Sequence, residues 1–236
     1  MTSINKPIEV MKRYEMKYVL SPRQTAFLKE RLMGRMYEDR YGLTSIASLY
    51  YDTPDRRLIR ASMEKPLFKE KIRLRSYGIA TNSSPVYLEL KRKTDSIVYK
   101  RRVSTTIPNV NDFFAGKGEI GKDGQISREI SYFRDYYKEL VPSCLIIYDR
   151  VAYYEKDGDL RLTIDHDPRF RTRDLDLTTS MEGESLLPPG NTILEIKVQE
   201  AMPLWLSTVL AEGEIYKTSF SKYGEAYKRQ ALKRAE

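Results

Sequence analysis

The segment Phe68-Lys69-Glu70-Lys71-Ile72-Arg73-Leu74-Arg75-Ser76-Tyr77 carries an alternation that recurs along the chain. In a strand, residues i and i+2 share a face. Arg73 and Arg75 therefore stand on one side, with Ile72 and Leu74 on the other. The same test works elsewhere. Glu15 and Lys17, with Arg13 before them, oppose Tyr14, Met16 and Tyr18. Glu89, Lys91 and Lys93 oppose Leu88 and Leu90. Lys100 and Arg102 share a face. Tyr148 and Arg150 oppose Ile147 and Val151, and Arg161, Thr163 and Asp165 oppose Leu162 and Ile164. Glu195 and Lys197 oppose Leu194, Ile196 and Val198. Strand after strand has one apolar face and one face of mixed charge.

Between these strands the spacing predicts helices. Ser21-Pro22 opens one that runs to about Met36, with Ser21 as N-cap and Pro22 at the first helical position. A short helix follows Asp52-Thr53-Pro54-Asp55 and runs to about Glu64. Further helices are expected over Val110–Ala115, Ile126–Leu140, Pro203–Leu210 and from Ser221 to about Ala235. Strands are expected over Arg13–Leu20, Ala47–Tyr51, Phe68–Tyr77, Pro85–Lys93, Ile97–Ile107, Cys144–Glu155, Leu160–Asp167 and Thr192–Gln199. The expected class is α+β, with a large, mostly antiparallel sheet or barrel and helices outside.

The charged faces admit two architectures. One is an amphipathic sheet with a solvated face. The other closes an antiparallel β-barrel of eight strands around a charged lumen, with helices surrounding the apolar outer face. Solvated faces carry mostly Thr, Ser and scattered Lys. Here the cations are rich in Arg, which suits bidentate phosphate contacts, and each carboxylate lies close to a cation. About eight strands leave room for one thin ligand. Such a lumen would repel itself when empty, so the pattern calls for a chain of phosphates and a divalent cation.

Composition bounds the rest. The chain has 236 residues, Lys+Arg 41 against Asp+Glu 33, and a formal net charge of +8, which points to anionic partners. A single cysteine, Cys144, excludes an intramolecular disulfide and a CxxC pair. A single histidine, His166, excludes HExxH chemistry. No apolar run is long enough to span a membrane, and the N-terminal residues hold no apolar signal core, so a cytoplasmic location is expected.

Taken in order, Arg13-Tyr14-Glu15-Met16-Lys17-Tyr18, Tyr50-Tyr51-Asp52-Thr53, Lys71-Ile72-Arg73-Leu74-Arg75, Glu89-Leu90-Lys91, Tyr148-Asp149-Arg150, Leu194-Glu195-Ile196-Lys197 and Phe220-Ser221-Lys222-Tyr223 resemble the VTC domain. That is the polyphosphate polymerase branch of the CYTH-like triphosphate tunnel metalloenzymes. The resemblance covers about residues 11–230, leaving a tail at 1–10 and the end of the last helix at 231–236. It implies an eight-stranded tunnel and transfer of the terminal phosphoryl group of ATP to polyphosphate. The implied cofactor is Mn²⁺ or Mg²⁺. A nucleoside or inorganic triphosphatase on the same fold is the alternative, as is a non-catalytic polyphosphate or inositol phosphate binder.

Carried across residue by residue, the resemblance implies that Arg73, Arg75, Lys91, Arg150 and Lys222 surround the reacting phosphates. Lys17, Arg13, Lys100, Arg102, Tyr148, Arg161, Lys197 and Ser221 are expected to bind substrate. Glu195 is the expected main metal ligand, with Glu15 and Glu89 as further candidates. The other reading of these carboxylates is ion pairing: Glu195 with a neighbouring cation, Glu15 and Glu89 with lumen arginines. Related triphosphatases begin with Glu-x-Glu-x-Lys, whereas this chain has Arg13-x-Glu15-x-Lys17. An arginine in place of the first carboxylate favours a phosphate acceptor over water. The last motif departs from the polymerase by having Ser219 where a lysine is usual. The expected partners are ATP and polyphosphate, with no nucleic acid and no disulfide-linked protein. The basic residues Lys228, Arg229, Lys233 and Arg234 allow weak association with an acidic membrane.

Overall fold

The computed structural model describes residues 14–64, 66–94, 97–121 and 124–235. Arg13 and the tail at 1–10 lie outside them. In chain order the elements begin β1 (Tyr14–Leu20), α1 (Pro22–Leu32), β2 (Tyr37–Glu38), β3 (Thr44–Asp52), α2 (Arg57–Met63), β4 (Phe68–Tyr77), β5 (Val86–Thr94) and β6 (Ile97–Thr105). Then follow α3 (Ile107–Phe114), α4 (Gln125–Tyr137), β7 (Val141–Tyr154), β8 (Arg161–Arg171), β9 (Glu184–Ser185), β10 (Thr192–Val198), α5 (Leu204–Glu212), β11 (Lys217–Thr218) and α6 (Lys222–Ala235).

All the strands form one antiparallel sheet, ordered β11-β1-β10-β8-β7-β3-β4-β5-β6, with β2 on β7 and β9 on β8. The fold is thus α+β as expected. Closure of the hydrogen-bonded barrel differs from expectation. Among the described residues no pairing joins β6 to the other end of the sheet. The outer edge of β1 instead takes the two residues of β11, through Lys17↔Thr218 and Tyr18↔Lys217.

The ladder bends at prolines. The β3–β7 register shifts between Tyr50 and Tyr51, and Tyr51 faces Pro142. The β7–β8 register shifts between Ile147 and Asp149. There β8 carries Asp167, at φ +40°, and Pro168. Proline has no N–H to give, so it tolerates the irregular positions of a sheet, and bulges strengthen local twist. Strand β8 therefore runs on to Arg171, past its expected end.

Helix α1 starts as predicted. Ser21 Oγ accepts from Gln24 N, and Gln24 Oε1 accepts from Ser21 N, completing a capping box. It ends at Leu32, short of Met36, because the chain leaves helical geometry at Met33 and turns through Gly34 at φ +76°.

The apolar strand faces build two cores on the convex side. One sets Leu49, Ile72, Leu74, Leu88 and Leu145 against Leu58 of α2, Phe113 of α3 and Phe133 of α4. The other sets Leu162, Ile164, Leu194 and Ile196 against Leu28 of α1 and Leu206 and Leu210 of α5. A third core lies on the opposite, concave face. Ile46, Cys144, Ile146 and Tyr148 pack there against Ile59 of α2 and Tyr223 and Ala226 of α6. Gly224 permits this approach, since a Cβ there would stand 3.0 Å from Met63 Sδ of α2. Helix α6 therefore covers part of the charged face. Of its basic residues, Arg229 donates to Leu186 O and Lys233 pairs with Glu184.

Candidate functional site

The concave face gathers its charges around three carboxylate centres. The first is Glu89 on β5, whose side chain is 1% exposed. Arg73 Nε and Nη2 reach its Oε2 at 2.9 and 2.8 Å. Arg75 Nη1 lies 3.8 Å from the same oxygen, and Lys100 Nζ and Arg102 Nε meet Oε1 at 2.8 and 3.4 Å. The register explains this: Glu89 faces Arg73 across β4 and Arg102 across β6. Burial, the largest single influence, works to raise the Glu89 pKa. Arg73, Arg75 and Lys100 overcome it and hold the carboxyl at about 2.

The second centre is the pair Glu15 and Glu195, on adjacent strands. Lys17 Nζ lies 3.3 Å from Glu15 and 3.9 Å from Glu195. Lys197 and Arg150 stand 3.8 and 3.4 Å from Glu195. Burial pushes the Glu195 pKa up, but its contact with Glu15 and the charges of Lys197, Lys17 and Arg150 carry it well below the usual range. The Lys17 ammonium is held above its ordinary value, because Glu195 and Glu15 outweigh a burial effect that acts downward.

The third centre is Asp165 on β8, fully buried. Arg150 grips it with two hydrogen bonds, Nε to Oδ1 at 2.5 Å and Nη2 to Oδ2 at 2.8 Å. Lys222 at the start of α6 pairs with the same carboxylate. Burial raises the Asp165 pKa, and Lys222 and Arg150 reverse the direction.

These centres face one another across a curled sheet. Lys91 Nζ of β5 lies 3.6 Å from Glu15 of β1, although β10, β8, β7, β3 and β4 separate those strands along the hydrogen-bonded order. A side-chain ion pair thus spans the concave side between strands that lie far apart along the sheet. The wall carries Lys17, Lys71, Arg73, Arg75, Lys91, Lys100, Arg102, Arg150, Lys197 and Lys222 against Glu15, Glu89, Asp165 and Glu195, so cations predominate.

Hydroxyls fill the spaces between. Arg75 donates to Ser48 Oγ at 3.3 Å and to the Tyr148 hydroxyl at 3.1 Å. Arg73 donates to the Tyr50 hydroxyl at 3.0 Å, and Tyr50 stacks on Tyr223 with centroids 4.3 Å apart. Burial raises the Tyr148 and Tyr50 pKa values, but Arg150 and Arg73 respectively lead the charges that bring both below the ordinary phenol value. Ser221 Oγ accepts from Gly224 N at 3.2 Å and caps α6.

Most of the expected site residues therefore meet on one wall. Arg161 stands at the rim instead, exposed, with its guanidinium on the Glu155 and Leu160 carbonyls and over the Tyr154 ring. Arg13 lies outside the described residues. Tyr50 and Lys71 stand in the quoted motifs without an assigned role, and Ser48 was not singled out from sequence. The signal for them was the alternation itself: Ser48 and Tyr50 pair with Arg75 and Arg73 across the β3–β4 ladder.

Carboxylate oxygens are the donors that Mg²⁺ and Mn²⁺ prefer. Among the described residues no group of three or more His, Cys, Asp or Glu side chains could hold a metal ion. Glu195 and Glu15 keep side-chain exposures of 11% and 27%, whereas Glu89 is enclosed by four cations. Glu195 is buried but less enclosed than Glu89, and with Glu15 it fits a divalent cation that takes its remaining ligands from phosphate and water.

A family model described as the VTC domain matches residues 12–230. No curated protein matches the chain. Among solved structures, a candidate adenylate cyclase from Bacillus halodurans aligns with a TM-score of 0.56 and 13% identity, over 89% of this chain and 96% of that one. A candidate adenylyl cyclase from Hippeastrum, described as having a dominant triphosphatase activity, aligns at 0.52 and 18% identity, over 89% and 92%. Likeness at these identities establishes the fold alone.

Proposed function

The chain belongs to the VTC domain family, and from that premise we propose that it is a metal-dependent polyphosphate polymerase acting on ATP. The observation that carries this reading is the wrapped cationic wall, marked by the 3.6 Å pair between Lys91 and Glu15. Such a wall suits a thin polyanion contacted from several sides, as a tunnel would.

In the proposed reaction the terminal phosphate of the growing chain attacks the γ-phosphorus of ATP. A new P–O–P bond forms, the β–γ bridge breaks, and ADP leaves with the bond electrons. The attacking phosphate is already ionised, so no protein nucleophile is required. Positioning and charge stabilisation supply the catalysis. Arg73, Arg75, Lys91, Arg150 and Lys222 would hold the two polyanions together against their repulsion. Lys17, Lys100, Arg102, Lys197, Tyr148 and Ser221 would bind the flanking phosphates, with Arg161 at the rim and Arg13, outside the described residues, as a further candidate. A divalent cation held by Glu195 and Glu15 would polarise phosphoryl oxygens and neutralise their charge. Glu89 would set the geometry of the arginines. The protein would act in the cytoplasm.

A second reading, triphosphate hydrolysis, is favoured by the activity ascribed to the Hippeastrum neighbour. Arg13 ahead of Glu15 and Lys17 supports polymerisation, because it replaces a carboxylate that would help position water. Incubation with ATP and Mn²⁺ separates the possibilities. Chain product with ADP supports the polymerase, and free phosphate without chains supports the hydrolase. Binding without turnover leaves a non-catalytic polyphosphate receptor.

A further inference from the structure

The cations grouped around the three carboxylate centres each lie within 3.9 Å of a carboxylate oxygen. Lys71 does not. It sits on β4 two residues before Arg73, on the same face, directly across the ladder from Lys91. Among the described residues it has no ion-pair partner. Its Nζ lies 5.7 Å from the centroid of the Tyr223 ring of α6. The carboxylate of Asp52, on neighbouring β3, is already committed. It accepts from the amides of Thr53, Leu58 and Ile59 and from the Tyr223 hydroxyl.

We propose that Lys71 is a proton-coupled phosphate contact, which meets an entering polyphosphate chain beside Lys91 and Arg73 and gains a proton as it does so. The inference rests on the polyanion-binding reading above and names a further residue of that path. The surroundings support it from every side. Lys69 and Arg73 flank it on its own strand, Lys91 faces it from β5, and Lys17 approaches from β1. Burial lowers its ammonium group most, and those four cations, led by Lys69, lower it further, from 10.5 to about 7. In the empty groove near neutral pH much of Lys71 is uncharged, which relieves repulsion. A chain of phosphates reverses the local field and restores the charge. A monoanion would do so less, so the coupling favours long polyanions.

Titration calorimetry with sodium tripolyphosphate, in buffers of differing ionisation heat, tests this on the full chain. At pH 8 the wild type should take up close to one more proton on binding than Lys71→Arg, whose guanidinium stays charged. Relative to Lys71→Arg, wild-type affinity should fall roughly tenfold per pH unit above about 7. At pH 6, Lys71→Met should bind roughly tenfold or more weakly than wild type, and Lys71→Arg should bind like it. Equal proton uptake in wild type and Lys71→Arg, or undiminished binding by Lys71→Met at pH 6, would overturn the assignment of Lys71 alone. Absence of tripolyphosphate binding by the wild type would overturn the polyanion reading together with it.

Discussion

Glu89 and Glu195 are both carboxylates on the concave wall, yet their surroundings give them different work. Glu89 is enclosed by Arg73, Arg75, Lys100 and Arg102. Glu89→Gln leaves those charges facing a neutral group, and breaking a buried pair costs about 3–5 kcal/mol. The melting temperature should fall, and tripolyphosphate should restore much of the loss by replacing the missing negative charge. The pH dependence has a definite sign. The Glu89 pKa is depressed from 4.5 to about 2, so its stabilisation is present above about 4.5 and is lost as pH falls toward 2. The stability gap between wild type and Glu89→Gln should be flat above pH 5 and close below it. A gap that stays open to pH 2 would show that the Glu89 charge is not the cause. Glu195 is more open and adjoins Glu15. Glu195→Gln should keep the fold but reduce metal-dependent turnover of ATP by about a hundredfold or more, by analogy with the loss of a transition-state charge stabiliser. Wild-type turnover at matched Mn²⁺ would remove Glu195 from the metal site.

At the level of elements, the strands and most helices were legible because each buries one face, and a period of two or 3.6 records that. The eight longer strands sit where the alternation puts them. Helix α6 was legible as a helix but not as a cover for the charged face. Ile46, Cys144 and Ile146 supply its apolar seat, on the same side of the sheet as Tyr148 and Arg150. Nothing local tells which face of a strand a distant helix will occupy. The two-residue strand β11 was invisible for a related reason: Lys217 and Thr218 carry no alternation, only a pairing partner. Asp52 was read only as part of the segment ahead of a short helix, whereas it fastens three elements. It ends β3, accepts the Leu58 and Ile59 amides of α2, and accepts the Tyr223 hydroxyl of α6. Tyr223 also shares a hydrogen bond with Ser143 at 3.0 Å. Tyr223→Phe should cost about 1–3 kcal/mol, the usual cost of a buried acceptor losing its donor. Chemical denaturation should record the loss, and limited proteolysis should cut near α6 more readily. An unchanged midpoint and unchanged cleavage would show that the hydroxyl does not fasten α6.

For the molecule as a whole, the arrangement of charge matters more than its sum. A net charge of +8 would by itself favour nucleic acid, because phosphate neutralisation drives non-specific binding. The cations here do not form an outward patch. They come from β1, β4, β5, β6, β7, β10 and α6 and turn toward one another, close enough for Lys91 to reach Glu15 across the curl of the sheet. A duplex presents its phosphates on the outside of a wide cylinder and meets a protein from one side. On the proposed reading it touches only the rim of this wall, while linear polyphosphate enters, as does the triphosphate of a nucleotide with its base left outside. The protein should therefore rank ligands by phosphate number and be nearly indifferent to nucleobase. In competition at fixed salt, polyphosphate should displace labelled tripolyphosphate at far lower phosphate concentration than duplex DNA, with ATP and GTP alike. Arg75→Ala should weaken tripolyphosphate binding by about 1.5–3 kcal/mol, the range for one hydrogen bond to a charged group, and leave rim binding of DNA unchanged. If the duplex competes as well as polyphosphate, or Arg75→Ala weakens both equally, the cations form an open surface and the wrapped groove is not the binding site.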